Sequence, residues 1–449
     1  MNTAFITEEE ICQARAFMDE ALKAGAKKCR VTLSKSVLDL VGVLDGKVDK
    51  ITHSMDRSVT LALFADGRYG TFSTNRLGDG VKEFVQRALQ TVSMMEPDAF
   101  RDLPSPERTA KGADNLELCD CASYESMTME KRIALALAGC VTGSDKSILS
   151  EEGEYSDSLS DTVIMDSNGT FCRQSECTFD FANEITVQDT DGGKVSAYWW
   201  VSSRKASGAE ALDTAAVGRK ALELALAKRG AAACEGGKFT AVVSSGCASR
   251  LLSPVIGAMN GFSIQQNNSF LADKLGKKIF PDNVTVLDHP HDKGAYGSRI
   301  FDSEGVATQE RPLIEKGVLK TWFLSTYIAG KLSMEPTVDD ASRPVVCTTV
   351  DKNCAEIAED CRAGFAGGDK GTILITGFNG GNCNSATGDF SFGIEGFYFG
   401  ADGARPIHEM VITGNMLELW SNFVAAGNDP RPCSPRVVPT LVFKDVDFS

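Results

Sequence analysis

The stretch VVSSGCASRLLSPVIGAMNG, residues 242–261, joins the end of an apolar run, FTAVVSS, to a segment of helical character through a short turn containing Gly246. The first part reads as a strand and the second as a helix, so one register change fixes a strand-turn-helix unit. Pro254 lacks an N–H, and Ser253 before it suits an N-cap with Pro in the first helical position; the helix is expected to start or break there. Immediately upstream, AAACEGGKF is a run of small residues and Gly that reads as a domain boundary. The chain of 449 residues exceeds what one core usually serves. Two domains are therefore expected, an N-terminal one at 1–230 and a β-rich C-terminal one at 231–449.

Upstream of the boundary, Thr7-Glu8-Glu9-Glu10 has the spacing of a capping box, and Ile11, Ala14, Phe17, Met18 and Ala21 follow at helical intervals. Residues 31–74 carry short β-rich runs separated by Asp45-Gly46 and Asp66-Gly67, pairs favoured in tight hairpins. Helical patterns follow near 80–95 and 129–140, strands return over 160–205 with Trp199-Trp200 in the last of them, and a helix spans about 213–229. Downstream come a hairpin turning at Lys316-Gly317, a helix near 352–363, and the Gly- and aromatic-rich run 377–406. Consecutive hairpins with helices set apart predict an α+β fold, each domain holding a largely antiparallel or mixed sheet flanked by helices.

The balance of 46 Lys and Arg against 61 Asp and Glu leaves a net charge of −15, which opposes direct contact with a nucleic-acid backbone. The fourteen cysteines show no framework, the N-terminus is acidic where a signal sequence would be basic, and no apolar run is long enough to span a membrane. A cytoplasmic protein without membrane association is expected.

Each candidate catalytic motif departs from its required pattern. His408-Glu409 begins an H-E-x-x-H pattern, but Ile412 stands where the second His is required, and PIHEMVITGN reads as a strand. Residues 364–371, GFAGGDKG, miss the phosphate-loop spacing and read as a helix C-terminal turn. Cys119 and Cys121, like Cys354 and Cys361, lack the C-x-x-C spacing of a zinc ribbon. His289, His291 and Asp292 lie in one short segment around Pro290 and are a candidate metal site, with a polar turn as the plainer reading.

With these exhausted, residues 242–261 resemble the corresponding stretch of the TldD/PmbA family, described as modulators of DNA gyrase and as peptidases. Its active branch has Leu-Leu-His-Glu-x-x-Gly-His where this chain has Leu251-Leu252-Ser253-Pro254-Val255-Ile256-Gly257-Ala258. The register is supported by EGVATQERPLIEKGVLKTWFLST at 304–326, the glycines Gly380 and Gly381, GDFSFGIEGFYFGADGARP at 388–406, VITGNMLE at 411–418, and Cys433 ahead of Pro439-Thr440-Leu441. The resemblance places Ser253 and Ala258 at the two His ligand positions and Pro254 at the general base, leaving Cys433 as a relic ligand. Gly257 sits where a ligand-bearing helix would need to deform.

Zinc at a catalytic site needs three protein ligands and a water, with a carboxylate to move the proton. None of the three altered positions supplies these, a pattern that fits the PmbA branch, also called TldE. The resemblance implies a non-catalytic chain in a cytosolic heterodimeric metallopeptidase, with no cofactor of its own and zinc in a TldD-like partner. Family roles include trimming peptide-antibiotic precursors and degrading a labile antitoxin, so an unfolded peptide is the expected substrate. Gly257, Gly380 and Gly381 are candidate peptide- or partner-binding positions. Two alternatives stay open: an independent metallopeptidase using other ligands, such as His289, His291 and Asp292, or a homo-oligomeric protein that binds peptide or another ligand. A homodimer is also compatible with the chain expressed alone.

Overall fold

The computed structural model describes residues 5–111, 116–208, 210–362, 371–400 and 403–449. The first half runs α1 (Glu8–Lys23), β1 (Lys28–Leu44), β2 (Lys47–Ala65), β3 (Arg68–Thr74), α2 (Val81–Ser93), α3 (Cys121–Glu125), α4 (Met129–Ala138), β4 (Ile148–Asp166), β5 (Phe171–Gln188), β6 (Lys194–Ser203) and α5 (Thr214–Ala227). The second half runs β7 (Gly237–Val243), α6 (Ser249–Ala258), α7 (Gly261–Gln265), β8 (Val286–Asp288), β9 (Arg311–Glu315), β10 (Val318–Leu319), α8 (Thr326–Leu332), β11 (Pro344–Val346) and α9 (Cys354–Arg362). It finishes with β12 (Thr372–Cys383), β13 (Asp389–Gly400), β14 (Gly403–Asn415), α10 (Met416–Ser421), β15 (Phe423–Ala426) and β16 (Leu441–Phe448). The architecture is α+β, with antiparallel and mixed sheets flanked by helices.

Strands β1 to β6 form one antiparallel sheet in the order β3-β2-β1-β4-β5-β6. Asp45-Gly46 and Asp66-Gly67 turn its first two hairpins, all four residues at positive φ. The runs between them are not short: β1 has 17 residues and β2 has 19. Their length is masked in the sequence because the buried face carries charge in its middle. Val31, Leu33, Val41 and Val43 alternate inward as expected, but Lys35 and Asp39 share that face and are also buried.

Each buried charge has a partner. Lys35 pairs with Glu10 of α1 at 3.2 Å, and Arg132 of α4 bridges Asp157 at 2.7 Å and Asp39 at 3.1 Å. Helices α1 and α2 cover the apolar patch around Leu33, while α4 and α5 cover those around Val43, Phe181 and Val187. The capping box at the start of α1 forms: Glu10 N–H meets Thr7 Oγ1, and Thr7 N–H meets Glu10 Oε2.

A small antiparallel sheet, β10-β9-β8-β11, follows in the second half. The third sheet, β14-β13-β12-β7-β16-β15, closes on itself through an additional β14–β16 pairing, making a small barrel around the largest apolar core. Within it β7 pairs parallel with β12 and antiparallel with β16, and Phe239 through Val243 are buried without interruption. A strand hydrogen-bonded on both edges and covered on both faces shows this continuous pattern rather than alternation. The hairpin at Lys316-Gly317, helix α9 and the strand containing His408 lie where the sequence suggested, the last with Glu409 at φ 57° beside a register shift. The turn proposed at 364–371 falls outside the described residues except for Gly371. No helix among the described residues is long and apolar enough to cross a membrane.

The seating of α5 depends on two glycines. A Cβ on Gly218 would lie 2.0 Å from the Gly139 carbonyl oxygen, and one on Gly139 would lie 2.0 Å from Phe181 Cζ. Gly218→Ala must push α5 away from the end of α4, and should destabilise the fold by about 1–3 kcal/mol. The midpoint of urea unfolding measures it; an unchanged midpoint would show that this contact does not seat the helix.

Candidate functional site

A cavity of about 910 Å³ lies where the two halves of the chain meet. One wall comes from the first half: Ala197 to Trp200 of β6, and Lys220, Leu224 and Lys228 along α5 and its C-cap. Their four-residue spacing places these three side chains on one helical stripe. The opposite wall comes from α6, β12 and β13, with Arg431 from the loop before β16. The N-terminus of α5 is fixed by Asp213, whose side chain accepts from Ala216 N–H at 2.8 Å.

Helix α6 divides its residues between cavity and core by helical spacing. Arg250, Ser253, Pro254, Gly257 and Ala258 line the cavity, while Leu251, Leu252, Val255, Ile256 and Met259 are buried in the barrel core. The helix neither starts nor breaks at Pro254, contrary to the expectation from sequence: it begins at Ser249, after Ala248 at the N-cap, and carries Pro254 inside. Proline within a helix costs about 3 kcal/mol or more, because the carbonyl four residues back loses its donor and the ring crowds the preceding turn.

Two neighbouring carbonyls of this turn take side-chain donors. Trp420 Nε1 donates to the Leu251 carbonyl at 3.2 Å, and Ser253 Oγ donates to the Ser249 carbonyl at 2.7 Å. Trp420 is fully buried, stacked between Phe280 and Phe423. The hydroxyl expected to cap a helix start is instead spent inside one.

Gly257 opens onto the cavity, with nothing within 4 Å of where a Cβ would sit. Gly381 also lines the cavity and Gly380 adjoins it; both have positive φ in a register shift between Asn379 and Asn382. A Cβ on Gly381 would meet the Ser391 carbonyl oxygen at 2.0 Å, so the bulge itself requires that glycine. Arg250 Nη2 donates to the carbonyls of Gly380 at 3.4 Å and Gly381 at 2.8 Å.

The donor set at this wall does not fit zinc. Ser253 offers a hydroxyl already engaged, Pro254 and Ala258 offer nothing, and Cys433 is buried behind Arg431, whose Nη2 lies 3.5 Å from its sulfur. Burial pushes the Cys247 thiol well above its ordinary range. Among the described residues no group of three or more His, Cys, Asp or Glu is arranged to hold a metal. His289 faces Glu310 at 3.6 Å, His291 bonds Thr308 Oγ1 at 3.0 Å, and Asp292 pairs with Arg343 at 3.0 Å, so the three side chains go to three separate partners.

Models of the PmbA/TldA metallopeptidase match along the chain: domain 1 over residues 29–91, the central domain over 122–229 and the C-terminal domain over 236–449. A crystal structure from Bacteroides thetaiotaomicron, of a protein named for modulation of DNA gyrase, superposes with a TM-score of 0.92 and 38% identity, covering 99% of each chain. The chain belongs to the TldD/PmbA family. The metalloprotease PmbA of Escherichia coli O157:H7 is 25% identical over 403 residues, 89% of this chain and 87% of that one. TldE from Thermococcus kodakarensis shares the fold, with a TM-score of 0.81 at 17% identity over 97% of this chain and all of that one.

Within this TldD/PmbA fold the sequence located α6 but missed the wall opposite. The stripe Lys220, Leu224, Lys228 was present in VGRKALELALAKR, and Arg250 stands three residues before Ser253. What the sequence could not show is that α5, β6 and α6 converge on one cavity. Trp420→Phe removes the donor to the Leu251 carbonyl and should destabilise the chain by about 1–3 kcal/mol. The midpoint of chemical denaturation measures the loss; an unchanged midpoint would show that the indole bond does not steady α6.

Proposed function

We propose that the chain is a PmbA-branch, non-catalytic subunit of a TldD/TldE-type zinc metallopeptidase complex, acting in proteolysis of unfolded peptides or small proteins. In this reading it pairs with a TldD-like chain that carries the zinc, and lines the channel through which the peptide passes. The observation that carries the reading is the composition of the cavity face of α6. Ser253, Pro254, Gly257 and Ala258 line it, and none provides an imidazole, thiolate or carboxylate. Hydrolysis by a metal-bound water needs both ligands and a base. Both halves of the chain nevertheless wall the cavity, which is what a subunit that holds substrate without cutting it requires.

In this arrangement the residues of the chain bind and orient. Trp199, Trp200 and Phe378 offer apolar surface, and the β12 bulge at Gly380-Gly381 offers a backbone that side chains do not obstruct. A cytoplasmic location accompanies the proposal, supported by the free thiols of all fourteen cysteines.

The test is to purify the chain alone and co-expressed with a TldD-like chain, then measure zinc content and cleavage of an unfolded peptide. Zinc and chelator-sensitive cleavage should follow the TldD-like chain and be lacking in this chain alone. Stoichiometric zinc in the lone chain, with cleavage abolished by His291→Ala, would overturn the reading. A stable self-association that the TldD-like chain fails to displace would do so as well.

A further inference from the structure

The cavity's charge runs against that of the chain. The chain as a whole carries −15, yet the cavity lining holds four cations, Lys220, Lys228, Arg250 and Arg431, against one anion, Glu395. Two of the four cations are already paired: Lys228 with Glu395 at 2.5 Å across the two halves, and Lys220 with Glu223 at 2.7 Å along α5. That leaves the guanidiniums.

Among the described residues neither Arg250 nor Arg431 has a carboxylate partner. Arg250 lies 4.8 Å from the Phe392 ring centroid and spends Nη2 on backbone carbonyls. Arg431 lies over Trp199 at 4.2 Å and Trp200 at 4.3 Å, and spends Nη2 on the Trp200 carbonyl and the Cys433 sulfur. A guanidinium has five N–H donors, so each retains donors at Nε and Nη1. Stacking on aromatic faces holds each plane without neutralising it. Two oriented, uncompensated guanidiniums on one cavity make a receptor for carboxylate, which a guanidinium can bind through two parallel hydrogen bonds.

Resting on the reading of the chain as a peptide-lining subunit, we propose that this cavity selects peptide segments bearing carboxylates and binds them through Arg250 and Arg431. Trp199 and Trp200 take the adjoining apolar surface of the peptide. The carboxylate comes from acidic side chains or from a free peptide C-terminus. A cavity of about 910 Å³ exceeds what a lone ion fills and suits several residues of extended chain.

Isothermal titration calorimetry on the full chain alone tests this with three short Gly/Ser peptides. One carries Glu and an amidated C-terminus, one carries Gln and a free C-terminus, and one carries Lys and an amidated C-terminus. The proposal expects the first, the second or both to bind at least about tenfold more tightly than the Lys peptide, with the preference shrinking as salt is raised. The peptide that binds identifies the carboxylate's source.

Arg250→Gln and Arg431→Gln should each weaken the preferred peptide about tenfold, while Lys at either position should restore part of the binding. Their thermal midpoints show whether a lost signal is lost folding, and the Lys variants keep the test open if a Gln variant unfolds. Equal affinity for all three peptides, binding of none of the three, or full binding by both Gln variants would overturn the proposal. The titration uses neither partner nor zinc, so its failure leaves the subunit assignment standing. Conversely, zinc-dependent cleavage by the lone chain would refute the subunit assignment while leaving the charge preference to be measured.

Discussion

The position of the cavity depends on the burial of one strand. From Phe239 to Val243 every residue of β7 is buried, because β12 and β16 flank it and the barrel core and α9 cover its faces. Such a strand cannot slide or tilt without opening both ladders, so the point where it ends is fixed. Helix α6 begins six residues after that end, and its polar stripe has only one direction left to face. The aromatic clamp of Phe280, Trp420, Phe423 and Phe443 beneath α6 completes the constraint from below.

The first half meets this fixed edge through a sheet of a different kind. Its helical side has apolar ends and a charged middle, where Lys35, Asp39, Asp157 and Asp161 are buried with their partners. Buried ion pairs of this sort are weak contributors to net stability, because desolvation offsets much of their attraction, but breaking one strands the other charge. They therefore penalise any register in which the long strands are shifted. A slip by one residue would carry every buried charge to the opposite face.

Much of this was legible from local chemistry. The Asp-Gly hairpins, the capped first helix, the strand-turn-helix at 242–261 and the strand around His408 are each set by neighbouring residues, and they form as read. The lengths of β1 and β2 were not legible, because Lys35 and Asp39 disguise an inward face as an outward one. Nor was the uninterrupted course of α6 through Pro254, in a turn bonded and packed by Trp420, 166 residues further along the chain. The cavity's far wall was hidden for the same reason, since Lys220, Trp200 and Arg431 share no sequence neighbourhood with Ser253.

Gly218 and Gly139 give the cavity a property that its lining residues do not. The wall formed by α5 rests on a backbone-to-backbone approach, with no side chain between to be shortened or lengthened. The smallest addition to Gly218 already displaces that wall, so its position changes in a step rather than by degrees. Variation in what the chamber admits is confined to the side chains that project into it, on a frame whose gauge is set.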